Sequence, residues 1–152
     1  MQFLKYAVIA TALAAPTAIF AQDAEDAIEG RQGYMSLISI EMGKLSGMAK
    51  GEIDYDEAAA AAAAANLEAL TNYNVAPLFA VPGTSSEDTS ESATLPAAFE
   101  NPEGFSAKLA DLKNAAAGSQ AAVTGGQASI GPVLQQLGGT CKACHDDYRK
   151  PR

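Results

Sequence analysis

Cys141-Lys142-Ala143-Cys144-His145 uses both cysteines and the only histidine of a 152-residue chain. On a helix, positions i and i+3 share a face. Two thiols at that spacing can therefore add to the two vinyl groups along one edge of a porphyrin, while the next residue offers a ring nitrogen to the iron. C-x-x-C-H is the spacing of c-type haem attachment. Two other chemistries use the same residue types. A thioredoxin-like redox pair belongs at a helix N-terminus beside a strand, whereas this motif sits within a helical stripe near the end of the chain. Zinc would have three ligands crowded into five residues and no evident fourth. Haem is the reading the spacing supports, with Cys141 and Cys144 as thioether anchors and His145 as axial ligand. Attachment needs reduced thiols and leaves no disulfide afterwards.

A ligand for the opposite side of the iron has to come from upstream, because only seven residues follow His145 and no second histidine exists. Either Met35, Met42 or Met48 binds, or the position stays open. Met35 and Met42 lie on one stripe with Ile28, Arg31, Ile38, Leu45 and Ala49, spaced alternately by three and four residues, so both also serve as core filler. Arg31 is the odd member of that stripe. An arginine on a buried face needs an anion, and haem propionates supply one about a turn from Met35. The plain alternative is an arginine snorkelling from the end of the stripe. Gln32 is a neutral donor beside it.

Four helical segments position these residues. The first runs from near Asp23 to about Lys50 and stops at Gly51. The second follows Asp54-Tyr55-Asp56-Glu57, where aspartates suit the cap and first turn, and passes through eight alanines, Ala58 to Ala65, into Leu67, Leu70 and Tyr73. That alanine run fits plain helix propensity, or a small-residue face that lets another helix come close. Residues 74–101 carry Pro77, Pro82, Gly83, Pro96 and a run of Ser, Thr and acidic residues, which reads as a long loop pinned by Phe79 and Phe99. The third helix takes Asn101 as cap and Pro102 at its first position, then shows Phe105, Leu109 and Leu112 before Gly118. The fourth begins near Ser129 with stripe Ile130, Leu134, Leu137, Cys141, Cys144, Tyr148, which turns both cysteines to the core. No alternating strand pattern appears. The expected fold is all-α, an antiparallel four-helix bundle with haem held in its core.

Ahead of these helices, a basic start at Lys5, an apolar run from Tyr6 to Phe20 and a small residue at Ala21 read as a secretory signal peptide, residues 1–21. The run is too short for a spanning helix and Pro16 interrupts it. The mature domain is then 22–152, exported to the periplasm, with a net charge of −9. That charge argues against nucleic acid or an anionic membrane as partner. Hydrophobic residues make up 48% of the chain but aromatics only 7%, with no tryptophan. Bulky core formers are scarce for this length, and a covalently held macrocycle would fill the deficit.

The segments Arg31-Gln32-Gly33-Tyr34-Met35 and Leu137-Gly138-Gly139-Thr140-Cys141-Lys142-Ala143-Cys144-His145-Asp146-Asp147-Tyr148-Arg149 resemble the two signature regions of cytochrome c', the class II exported c-type cytochromes. The resemblance implies a homodimeric four-helix bundle with one haem c per chain and a five-coordinate, high-spin iron. By it, His145 is the proximal ligand, Met35 the apolar residue over the vacant side, and Arg31 and Gln32 the holders of a propionate. Arg149 matches a basic residue beside the proximal imidazole, and Thr94, two before Pro96, a loop contact to a propionate. Relatives with low-spin iron use a first-helix methionine at about the position of Met35 and tend to lack the arginine, so Arg31 favours the five-coordinate form.

The functional expectation is therefore electron transfer together with binding of nitric oxide and carbon monoxide, since an apolar pocket under Met35 offers no donor to polar bound oxygen. The alternative is a six-coordinate electron carrier with Met35 as sixth ligand. Catalytic turnover is disfavoured because no histidine base remains beyond His145. Tyr34, Leu37 and Ile40 give the first helix apolar surface beyond its core stripe, and the alanine-rich second helix offers another face for a second copy.

Overall fold

The computed structural model describes the backbone of residues 17–151 and the side chains from Asp23 to Pro151. The signal peptide expected over residues 1–21 lies outside the described side chains, and its last five residues contribute only backbone to the first helix. That helix, α1, is Thr17–Lys50. It begins before Asp23, because the alanine and glutamine positions ahead of that residue continue the helix without a breaker. It ends at Gly51, whose φ of 73° supplies the left-handed stop.

Helix α2 is Glu57–Asn72, capped by Asp56, whose carboxylate accepts from the Ala59 amide at 2.7 Å. Its buried face is Ala60, Ala63, Ala64 and Leu67, each at most 1% exposed. The small-residue face is thus used within the chain, against α1, α4 (Pro102–Ala116) and a short helix, α5 (Ser119–Ala122). Tyr73, expected to extend the α2 stripe, is 60% exposed. It is the C-cap residue, extended at φ −69° and ψ 134°, so the chain has left the helical register and its ring leans on Tyr34 at 6.3 Å between centroids.

The stretch expected to be a loop carries a 3-10 turn, Ala76–Phe79, and a short helix α3, Ala97–Glu100. Helix α4, Pro102–Ala116, starts as its sequence dictates: Asn101 Oδ1 accepts from the Gly104 amide at 3.0 Å, and Pro102 occupies the first position. Gly104 is needed for packing, since a Cβ there would press on Asn101 and on the Tyr148 hydroxyl. Helix α6, Ile130–Tyr148, closes the bundle and tolerates Pro132 in its first turn, where amides have no intrahelical partner. Helix α1 packs on α2 and α6, and α4 packs on α2 and α6, which is the four-helix arrangement the periodicities require. Leu45, Leu67, Val123, Ile130 and Leu137 are at most 1% exposed and form its centre.

Polar residues also enter the interior. Glu41 is 7% exposed and accepts from Lys44 Nζ at 2.9 Å and Asn66 Nδ2 at 3.2 Å, tying α1 to α2. Tyr55 donates to the Val123 carbonyl at 2.9 Å and accepts from the Gly126 amide at 3.3 Å, fixing the entry to α2 against the turn before α6.

Candidate haem site

Three of the sequence-derived residues stand on the upper half of α1. The stripe holds as drawn: Ile28, Arg31, Ile38 and Leu45 are buried, and Met35, Met42 and Ala49 are half-buried against the core. Arg31 is 4% exposed, well inside rather than snorkelling. Its Nη2 donates to the Thr84 carbonyl at 2.9 Å. The guanidinium lies over two rings, 5.3 Å from the centroid of Phe79 and 5.9 Å from that of Phe99. These phenylalanines were expected to pin the loop; they do so by walling in the arginine. Burial lowers the arginine's pKa, yet the group remains a cation.

Nη1 of Arg31 is buried and has no hydrogen-bond partner. A charged donor left unpaired in the interior is costly, which makes this atom the best witness to a missing anion. A haem propionate is an anion of suitable reach and chemistry, so the arginine fits the group the motif calls for. Gln32 is exposed and turns outward, its Nε2 donating to the Glu91 carbonyl at 2.8 Å. It holds the loop beside Arg31, a use that the sequence did not reveal.

On α6 the cysteines lie on the apolar stripe as expected. Both are free thiols and half-buried, and Cys144 packs on the core. Burial raises the pKa of each; at Cys144 the nearby Lys108 cation pulls the other way while Cys141 and Asp147 add to the rise. His145, one position on, is exposed. Lys108 of α4 also pairs with Asp147 at 3.0 Å, and Lys142 pairs with Asp146. Lys108 was not singled out from the sequence. It lies on the polar side of α4 one residue before Leu109, and only the packing of α4 on α6 reveals its proximity.

Thr94 and Arg149, widely separated in sequence, form an antiparallel bridge. The Leu95 amide donates to the Tyr148 carbonyl at 2.9 Å and the Lys150 amide to the Ala93 carbonyl at 2.8 Å. Arg149 is half-buried and extended, capping α6 with an amide that donates to the His145 carbonyl at 3.2 Å. Phe105 lies beneath, 5.2 Å from Tyr148 in an edge-on contact and 4.6 Å from Phe79. A run of aromatic rings thus joins the Arg31 wall to the last turn of the motif helix.

Of the apolar α1 surface expected to receive a second copy, Leu37 and Ile40 are 51% and 53% exposed, but Tyr34 is 7% exposed. Tyr34 belongs to the interior, where burial raises its pKa, with the neighbouring Cys141 adding to the rise.

Comparison with known proteins follows the same lines. The family model described as Cytochrome C' matches residues 26–149. A cytochrome c' from Cereibacter sphaeroides is 43% identical over 150 residues, spanning 98% of this chain and 100% of that one. Among solved structures, the cytochrome c' from Rhodobacter Spheriodes is similar with a TM-score of 0.79 and 43% identity, covering 85% of this chain and 98% of its own. Variants of cytochrome c prime from Alcaligenes xylosoxidans, one solved with nitric oxide and one with carbon monoxide, are similar at 27% identity and a TM-score of 0.71, over 84% of this chain and 97% of theirs.

Proposed function

The chain belongs to the cytochrome c' family, and on that premise we propose an exported haem c protein with five-coordinate, high-spin iron that transfers electrons and binds nitric oxide and carbon monoxide. Haem c, attached through Cys141 and Cys144, supplies an iron that changes between ferric and ferrous states and can take up a small gas. The chain decides what reaches it. His145, exposed on α6, would hold the iron through a ring nitrogen. Arg31, with Gln32 beside it and Thr94 on the facing loop, is the propionate end of the site. Arg149 stands one turn after the ligand, and its charge is available to the imidazole side. Met35, half-buried among apolar neighbours, would stand over the open side of the iron, where it offers no donor to a polar ligand.

The observation that carries this reading is the buried, unpartnered Nη1 of Arg31, a partner-seeking cation built into a wall of two phenylalanine rings. Gas binding is supported by the nitric oxide and carbon monoxide complexes of the Alcaligenes relative. Met35 as sixth ligand is the competing arrangement, because it stands one turn from Arg31 on the same face. Optical and electron paramagnetic resonance spectra of the oxidised protein separate the two. High-spin iron, unchanged in spin state by Met35→Ala, is the expected outcome; low-spin iron that becomes high-spin on that substitution establishes Met35 as ligand.

Residues 1–21 are proposed to direct export, and among the described residues no helix is long and apolar enough to cross a membrane. A homodimer is proposed to form through the face bearing Leu37 and Ile40, exposed aliphatic side chains one turn apart. Light scattering should give twice the chain mass for the parent protein and the single mass for Leu37→Glu.

A further inference from the structure

The long loop is tied to two α1 residues of the proposed haem site and to backbone groups of α6's end on either side of Arg149. Arg31 Nη2 holds the Thr84 carbonyl at 2.9 Å and Gln32 Nε2 holds the Glu91 carbonyl at 2.8 Å, both from α1. The loop closes on itself where the Ser86 amide donates to the Thr94 carbonyl at 2.7 Å. From Thr94 it crosses to the other side of the bundle. The Leu95 amide and the Ala93 carbonyl take Tyr148 and Lys150 at 2.9 and 2.8 Å, on either side of the Thr94 and Arg149 bridge. Arg149 in turn donates its amide to the carbonyl of His145 at 3.2 Å.

The last carbonyls of a helix have no intrahelical donors, and an unrestrained C-terminal turn frays. Here that turn carries His145. Its end is not left to water: the loop supplies an amide to the Tyr148 carbonyl and an acceptor to the Lys150 amide. The loop itself is interior where it matters, with Thr84 fully buried and Ser85 and Ser92 at 6% and 7% exposure. Ser85 gives its amide and hydroxyl to Asp88 at 2.9 and 2.6 Å, which holds that carboxylate below its ordinary pKa and stiffens the segment. One rigid piece of backbone therefore touches the α1 residues on one side and the His145 turn on the other.

We propose that residues 84–95 are a positioning strap, anchored on α1 by Arg31 and Gln32, whose bridge between Thr94 and Arg149 sets the turn of α6 that presents His145. Gln32 stands beside the propionate end of the site and Leu95 outside it; toward His145 both act through the strap. The inference rests on His145 being the axial ligand, as proposed above.

Two variants test it. Gln32→Ala removes the exposed anchor and leaves the core untouched. Leu95→Pro deletes the bridging amide at a position already followed by Pro96. Hydrogen exchange read by mass spectrometry over residues 146–151 of the haem-loaded protein should quicken about three- to tenfold in Gln32→Ala, the effect of losing one hydrogen bond. Gln32→Lys, which restores a donor, should return it toward the parent rate. In the ferrous protein, the iron–imidazole stretching band in resonance Raman spectra should shift in both variants. A purely structural loop would not move that band. Exchange over 146–151 unchanged in Gln32→Ala, or a band at the parent frequency in both variants, overturns the strap. A parent protein whose ferrous iron is high-spin yet shows no iron–imidazole band overturns the ligand assignment instead, so the two failures are distinguishable.

Discussion

The α1 and α6 sides of the site differ in what they already possess. On α1, Arg31 is 4% exposed, hydrogen-bonded to Thr84 and faced by two aromatic rings. On α6, the cysteines are half-buried free thiols and His145 is exposed. The α1 wall is part of the fold in its own right, held by the loop and the aromatic run through Phe79, Phe105 and Tyr148. The motif helix supplies reactive groups on an apolar stripe and acquires its partners by covalent loading. One side waits with an unpaired cation, the other with unreacted nucleophiles. A macrocycle bearing carboxylates at one edge and vinyl groups at another would answer both needs.

The sharpest way to break this division is on α6. Replacing both thiols, as Cys141→Ala together with Cys144→Ala, should convert haem from fully retained to fully extractable by acidified organic solvent. Alanine is a strong helix former, so α6 itself should persist, seen as unchanged helical ellipticity of the haem-free chain. Haem retained against extraction in the double variant would show that the attachment lies elsewhere.

On α1 the same comparison predicts a change of sign. In the haem-free chain Arg31 is a buried cation with one nitrogen unpaired, and Met at that position removes the penalty at similar volume. Arg31→Met should leave haem-free stability within about 1 kcal/mol of the parent, or slightly raise it. In the loaded protein it strips the partner from a buried carboxylate and should cost about 1–3 kcal/mol in denaturant unfolding. Equal effects on both forms would mean that no anion meets Nη1.

Those two sides were unequally legible in the sequence. The haem motif is a local pattern, fully contained in five residues, and the three-and-four spacing of α1 and α6 placed it on a core-facing stripe. Arg31 could be read because it interrupts an apolar stripe. Asn101 and Pro102 fixed the start of α4 by local capping alone. What packing decides was out of reach: that Tyr34 turns inward while Leu37 and Ile40 do not, that Tyr73 leaves the α2 register at its cap, and that Lys108 stands near Cys144. The partners of Gln32, Thr94 and Arg149 are backbone groups of a loop whose composition reads only as polar. No side-chain pattern encodes a bridge between the backbones of Thr94 and Arg149.

The smallest expected effect concerns the unreacted thiols and sharpens the contrast between loaded and unloaded chains. Burial raises the pKa of Cys141 and of Cys144, the latter against the opposing pull of Lys108. An acid whose pKa is raised by folding stays neutral in the native state while the unfolded chain ionises first. The stability it contributes is complete below the ordinary thiol pKa and is lost as pH climbs through the raised value. The haem-free protein should therefore lose stability over that alkaline window, by under about 1 kcal/mol because both thiols are partly exposed to screening solvent. Denaturant midpoints measured at neutral and alkaline pH check this. Replacing both cysteines by alanine should remove the thiol part of the loss, leaving any contribution from Tyr34, whose buried phenol shifts in the same direction. Lys108→Met should deepen the loss, since the cation that favours the Cys144 thiolate is gone. In the loaded protein the sulfurs are thioethers without a proton to lose, so the thiol window should vanish there altogether. A loaded chain that still weakens across it, with Tyr34→Phe and Lys108→Met both in place, would show that at least one sulfur had never been joined.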